Sequence, residues 1–216
     1  MSLEDVEKMY QELEELSYKL GFVNTQKALP FARRVHEGKY RRGNGLPYIS
    51  HPLFVATYFK NKGIMNDEAW ATGLLHDTVE DVPDCNFDLQ PFSDSIKRRV
   101  HLLDFKKGLL EKRKAQLIYM EKILNDDWIT NLTKNIDRLH NLLTTKGAFT
   151  PSKLEDYLDE TVALFYPIFP TQQQKFSDYS MEFCNLEKTI KNTVNELDVN
   201  GLFQKENKRI LQSKVS

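Results

Sequence analysis

Apolar residues recur along this chain at every third or fourth position, and no stretch sustains strict apolar–polar alternation. That period constrains the fold more than any other feature, because it favours helices that bury one face and offers no candidate strand. Nine glycines and eight prolines in 216 residues interrupt the pattern only sparsely. Met9, Leu13, Leu16 and Leu20 give the apolar stripe of a first helix. "TQKALPFARRVHEG" reads as a second, kinked or restarted at Pro30, and "RRGNGLPYIS" as a loop. Pro52 suits the first turn of a third helix, capped by Ser50 or His51 and running to about Lys62. Asn66 or Asp67 caps a fourth, which carries "LLHDTVEDV". After a loop at "DVPDCNFDLQPF", helices are expected at about 92–104, 109–125, 128–146 and 152–166. Pro167 and Pro170 interrupt the pattern, and a polar helical remainder runs from about 172 to 213 with a break at Gly201. The expectation is an all-α multi-helix bundle: a single domain over 1–170, followed by a helical carboxy-terminal extension, 171–216, whose role is not readable.

The chain is 40% hydrophobic, enough for a sizeable core, and its net charge of −1 carries no basic bias that would imply a nucleic-acid partner. No apolar run approaches the roughly 20 residues of a membrane span. "MSLEDVEKMYQELEEL" lacks the basic-then-apolar order of a signal peptide. Cys85 and Cys184 make neither a metal-type spacing nor a disulfide framework. These features point to a cytoplasmic protein; oligomeric state is not readable from them.

Chemistry concentrates in three segments. In "LLHDTVEDV", His76, Asp77, Glu80 and Asp81 fall in one sector of a helix. Neutral imidazole and carboxylate suit the same borderline metals, so His76 and Asp77 can ligate one cation together. Glu80 and Asp81, one turn on, can orient or deprotonate a water on that cation. In "PYISHPLFVA", His51 precedes Pro52 and projects from a helix entrance. In "KNIDRLHNLLT", Lys134, Asp137, Asn141 and Thr144 share an arc of roughly 80°. Trp128, Leu132, Ile136, Leu139 and Leu143 lie opposite. Together the segments supply His51, His76, Asp77 and Asp137, a ligand set for Mn²⁺, Fe²⁺ or Zn²⁺ with positions left for water or substrate. Of the other histidines, His36 is expected to meet helix-terminal carbonyls, His101 to lie at the surface or to pack, and His140 to pack or to hold a ligand in place.

The succession "HEGKYRRGNGLPYISHPLFVA", "LLHDTVEDV" and "NIDRLHNLLT" resembles the hydrolase domain of the RelA/SpoT homologues, which belong to the HD-domain metal-dependent phosphohydrolases. The likeness continues into "SKLEDYLDETVALFYPIF" and covers about residues 25–170. It implies an all-helical fold holding one divalent ion, usually manganese. By this resemblance His51, His76, Asp77 and Asp137 match the ligand positions, and Glu80 and Asp81 the acidic pair that positions and activates the attacking water. Arg42 matches a basic residue that contacts the guanine nucleotide; Asn141 and Thr144 match the nucleotide-binding wall. The implied reaction removes the 3′-pyrophosphate of (p)ppGpp, giving GDP or GTP and pyrophosphate. Lys39, Arg41, Arg42 and Lys134 can meet the polyphosphate charge.

The chain departs from the family pattern in places. A second basic residue usually follows the arginine, where Gly43 stands here, and Leu46 replaces an acid. "FSDSIKRRVHLLDFKKG" matches poorly. These changes touch nucleotide recognition rather than the metal ligands. The roughly 45 residues after Pro170 are too few for the synthetase domain of bifunctional members, so the expectation is a small stand-alone hydrolase. Two alternatives accompany it: the same metal chemistry on another nucleotide, such as NADPH or a nucleoside monophosphate, and a nucleotide-binding module without turnover.

Overall fold

A computed structural model describes residues 1–81, 89–105 and 111–198, the side chains of Glu80 and Asp81 excepted. The loop around Cys85 and the segment 199–216 lie outside the described residues. Among those described the architecture is all-α: α1 (Leu3–Leu20), α2 (Val23–Val35), α3 (Ser50–Asn61), α4 (Asp67–Leu75), α5 (Thr78–Asp81), α6 (Asp94–Leu103), α7 (Lys112–Asn125), α8 (Trp128–Leu143), α9 (Pro151–Phe165), α10 (Phe169–Lys175) and α11 (Ser180–Leu197). No described helix is long and apolar enough to cross a membrane.

The centre of the bundle is α4, whose residues from Ala69 to Leu75 are all buried. It packs on α2, α3, α6 and α8. Its close approach to α3 depends on Gly73, where a Cβ would meet Val55 Cγ1 at 3.1 Å and the Ala56 backbone nitrogen at 3.3 Å. That approach brings the end of α4 against the start of α3. Asn66 caps α4 by accepting from the Ala69 backbone N–H. The neighbouring Asp67 caps a different helix: its carboxylate accepts from the backbone N–H groups of Asn24 and Thr25 and from the Thr25 hydroxyl, closing the start of α2. Pro30 neither ends nor restarts α2, which runs unbroken through it.

Several expected elements are corrected. The acidic segment does not form one continuous helix. α4 ends at Leu75, a turn carries His76 and Asp77, and α5 starts at Thr78. Side chains take the carbonyls there: His76 Nδ1 lies 2.8 Å from the Gly73 carbonyl, and the Thr78 hydroxyl donates to that of Leu75 at 2.7 Å. Ile49, not Ser50 or His51, is the N-cap residue of α3. Pro170 lies in the first turn of α10 instead of breaking a helix. The buried face of α1 runs through Val6, Tyr10, Leu13 and Ser17, leaving Leu20 exposed. On α8, Leu142 is buried while Leu143, the terminal residue, is 53% exposed.

α10 and α11 share the core with α8. Phe169, Phe183, Leu186, Ile190 and Val194 are fully buried. A buried chain of amides adds directionality: Asn135 donates to Gln172 Oε1, Gln172 to Asn131 Oδ1, and Asn131 to the Ile123 carbonyl, at 2.9, 2.9 and 2.6 Å. Removing one member would leave a buried polar partner unpaired.

Candidate metal centre

Three elements deliver the convergent groups. The entrance of α3 supplies His51, the turn after α4 supplies His76 and Asp77, and the middle of α8 supplies Asp137. His51, His76 and Asp77 each offer a ligand atom within 4.8 Å of the others, a group that could hold a metal ion. His51 Nε2 is 3.1 Å from His76 Nε2 and 3.2 Å from Asp77 Oδ2. Asp137 joins them with Oδ1 at 3.3 Å from His51 Nε2 and 4.0 Å from His76 Nε2.

The donor set fits a divalent cation. If His76 Nδ1–H donates to the Gly73 carbonyl, the lone pair of Nε2 is left facing the cluster. Burial pushes Asp77 upward, but His76 and His51 outweigh it and hold the carboxyl below its usual range. Burial likewise raises Asp137, and Lys134 and His51 reverse it. Both groups therefore stand as carboxylates. Burial pushes His51 down, yet the charge of Asp77 and Asp137 raises it overall. The same negative field that draws a proton to His51 favours a cation among the four groups.

Neighbouring residues brace the carboxylates. The Tyr48 hydroxyl donates to Asp77 Oδ2 at 2.9 Å. Lys134 Nζ donates to Asp137 Oδ2 at 3.0 Å and Asn141 Nδ2 to Oδ1 at 2.5 Å. Burial works against the Lys134 ammonium, but Tyr119 and Asp137 override it and hold its pKa well above the usual lysine range.

Two cavities flank this cluster. One of about 230 Å³ opens over Asp77 and Asp137, walled by Tyr119, Lys134, Arg138, Tyr157 and Glu160. Arg138 is buried there, bonded to Glu160 at 2.7 Å, with its guanidinium carbon 4.2 Å from the Tyr157 ring centroid. The other, about 220 Å³, is lined by Tyr40, Arg41, Arg42, Thr144 and Phe149. Each is smaller than the roughly 300–1,000 Å³ of an ordinary ligand pocket. Tyr48 and Asn141 line both, which makes them halves of one cleft. A larger cavity, about 630 Å³, lies between α1, α2 and the loop before α3, and contains none of the four convergent groups.

Each expected site residue has a definite place. Arg41 donates to Asn141 Oδ1 at 2.8 Å and to Thr144 Oγ1 at 2.9 Å, with its guanidinium over the Tyr48 ring. Arg42 is exposed at the rim. The α5 backbone carries Glu80 and Asp81, whose side chains lie outside the described residues. The His36 ring, expected at terminal carbonyls, is instead buried and stacked on Tyr48 with centroids 4.8 Å apart. Burial lowers it to about 4. His101 is exposed. His140 packs edge-on against His51, and burial lowers it to about 2. Sequence reasoning missed Tyr48 and the Arg138–Glu160 pair. Tyr48 carried a signal, since it stands in the loop three residues before His51; the pair spans two helices and carried none.

No family model matches the chain. Over 149 residues it is 35% identical to "GTP pyrophosphokinase rsh" of Brucella ovis, which covers 66% of this chain and 19% of that protein. Over 144 residues it is 33% identical to "Guanosine-3′,5′-bis(diphosphate) 3′-pyrophosphohydrolase" of Haemophilus influenzae and to "Bifunctional (p)ppGpp synthase/hydrolase SpoT" of Escherichia coli. Both cover 63% of this chain, and 21% and 20% of those proteins. The chain thus spans about a fifth of the length of the curated relatives it matches.

Proposed function

We propose that this chain is a RelA/SpoT-type hydrolase of the HD phosphohydrolase class, removing the 3′-pyrophosphate of guanosine polyphosphates with the help of a divalent cation, manganese first among candidates. The observation that carries the reading is the meeting of His51, His76, Asp77 and Asp137 beneath a cleft with basic walls. The similarity to proteins named for this reaction supports it. In this reading the four residues hold the cation. When bound, the cation supplies an acidified water and a counter-charge for the developing phosphoryl oxygens. Glu80 and Asp81 would orient the attacking water and accept its proton on a carboxylate oxygen. Lys134 keeps Asp137 ionised and adds positive charge beside the phosphates. Arg41 and Arg42 meet the nucleotide, with Asn141 and Thr144 as the wall behind Arg41. Tyr48 supports Asp77 from below.

The test is incubation of purified protein with ppGpp and Mn²⁺. Stoichiometric release of pyrophosphate and GDP is expected; no release from protein shown to have bound the metal rejects the reading.

One observation favours a second substrate. Position 43 offers no side chain to the cleft and Leu46 is buried, so the loop after Arg42 recognises its ligand with fewer charges than the family pattern implies. The same chemistry on another phosphorylated nucleotide, such as NADPH or a nucleoside monophosphate, follows if a substrate panel prefers one of these over ppGpp.

A further inference from the structure

His51 is the most tightly held of the four convergent groups. Its side chain is fully buried and both ring nitrogens are engaged. Nε2 faces His76, Asp77 and Asp137. Nδ1 lies 2.6 Å from Nδ1 of His140. The two ring centroids are 4.8 Å apart with 28° between the ring planes. A nitrogen–nitrogen contact that short at that centroid spacing places the rings edge to edge and nearly in one plane. This is the geometry of an N–H···N hydrogen bond, because two facing lone pairs would repel at such a distance. One proton therefore sits between the two nitrogens.

We propose that this proton belongs to His51 and that His140 accepts it, which makes His140 the positioning residue that keeps the His51 Nε2 lone pair turned toward the cation site. The inference rests on the metal-binding reading above. Were His140 the donor, a neutral His51 would carry its proton on Nε2, aimed between His76 and the two carboxylates. The nitrogen needed as a ligand would then be blocked. His76 meets the same requirement by a different means, with Nδ1 2.8 Å from a backbone carbonyl, that of Gly73. At His51 a second imidazole takes the place of the carbonyl. A ligating histidine ordinarily gives its other N–H to a carboxylate, a backbone carbonyl or water; a neutral imidazole acceptor is an unusual solution that needs its own orientation fixed. Phe54 supplies that, its ring centroid 4.2 Å from that of His140 at an interplanar angle of 33°. His140 also stands one turn beyond Asp137 on α8. The helix thus provides one carboxylate directly and a second group that acts through His51.

Two substitutions separate the acceptor from the ring. His140→Phe keeps an aromatic ring against Phe54 and removes the acceptor. His140→Asn loses the ring and leaves an amide oxygen near the place of Nδ1. Mn²⁺ affinity, measured by calorimetry on the full chain, should fall roughly 10–100-fold in H140F and stay within a few-fold of the parent in H140N. The reverse order, with H140F binding like the parent and H140N weakened, would show a packing role and overturn the proposal. Nitrogen-15 spectra of the metal-free protein give a readout independent of metal. They should place a proton on Nδ1 of His51 in the parent and in H140N, with its hydrogen-bonded shift lost in H140F. An unprotonated His51 Nδ1 in the parent overturns the proposal. If the parent binds no divalent ion, the metal-binding reading fails and the proton position alone decides the role of His140.

Discussion

A Cβ on Gly43 would lie 2.8 Å from the backbone nitrogen of Ala148 and 3.0 Å from the carbonyl oxygen of Lys146. Gly43 also has a φ of +95°, a conformation that side chains resist. The loop carrying Arg41 and Arg42 is thereby pressed onto the turn after α8, and the absence of a basic residue at 43 has a steric cause. Gly43→Lys should therefore not add a phosphate contact. It should push the loop off the Thr145–Ala148 turn and destabilise the fold by about 1–3 kcal/mol, read as a lowered urea midpoint. Gly43→Ala should show most of the same loss. A stable G43K that binds ppGpp more tightly than the parent would contradict this account.

Asp67 and the start of α2 form a capping interaction across 42 residues of sequence. Its carboxylate serves two backbone N–H groups and one hydroxyl at 2.8–2.9 Å. Asp67→Ala should cost about 1–2 kcal/mol by the usual worth of an N-cap. Since α2 carries no convergent ligand, Mn²⁺ affinity should be unchanged. A stability loss under about 0.5 kcal/mol would mean that water replaces the cap without penalty.

How much could be read from residues alone follows from the range of the interactions. Helix periodicity is local, and the bundle follows from it. His51, His76, Asp77 and Asp137 stand out because few ionisable groups sit inside otherwise apolar segments, and the structure brings these four within hydrogen-bonding or ion-pairing distance of one another. The break at His76–Asp77 was hidden because it arises from side-chain competition for the Gly73 and Leu75 carbonyls, which composition does not announce. On the polar side of α8, Asp137, Arg138 and His140 are buried, and the partners that α3 and α9 bring to His140 and Arg138 are encoded by no spacing along α8. Arg41 reads as a generic base; its bonds to Asn141 and Thr144 span about a hundred residues and appear only once the loop closes.

Arg99, buried on α6, contributes to the acid stability. Its Nη1 donates to Glu68 Oε2 and its Nε to Asp127 Oδ2, both at 2.8 Å. Ser93 and Ser95 donate to the other Glu68 oxygen, and Arg98 also reaches Asp127. Burial raises both acids, but these partners, together at Asp127 with the Thr130 backbone N–H, outweigh it and hold each below its usual range. A carboxylate with a depressed folded pKa binds fewer protons folded than unfolded, so its stabilisation is present above the ordinary carboxylate range and is lost as pH falls through the folded values. Stability should thus be flat near neutrality and decline below about pH 4. Arg99→Met should flatten part of that acid limb and lower stability at pH 7 by about 1.5–3 kcal/mol. Thermal unfolding from pH 3 to 7 checks both; an acid limb unchanged in R99M would remove Arg99 as its cause.

Tyr48 donates to Asp77 Oδ2 at 2.9 Å, and its ring stacks on His36, meets the His51 ring edge-on and lies under the Arg41 guanidinium. Tyr48→Phe keeps the ring and deletes the donor. Folding stability should drop by only about 1 kcal/mol, because Asp77 retains His51 and His76 as partners. Mn²⁺ affinity should weaken by roughly tenfold, at the low end for a group that orients a ligand. Equal Mn²⁺ affinity in Y48F and parent would show that the hydroxyl does not orient Asp77.

Glu80 and Asp81 stand on α5, the short helix that begins as soon as the turn bearing His76 and Asp77 ends. The proposed function gives the two pairs different tasks, which replacement by amides can separate. Glu80→Gln and Asp81→Asn preserve shape and remove charge and basicity. If His76 and Asp77 hold the cation while Glu80 and Asp81 handle its water, Mn²⁺ should bind the double variant within about threefold of the parent, the loss of a general base alone costing about 10²–10⁴ in turnover. His76→Gln should behave in the opposite sense, losing Mn²⁺ first and activity as a consequence, with partial recovery at high Mn²⁺. Turnover by the E80Q/D81N protein at the parental rate would show that the proton is taken elsewhere. Loss of Mn²⁺ from that protein would instead place the acids among the ligands.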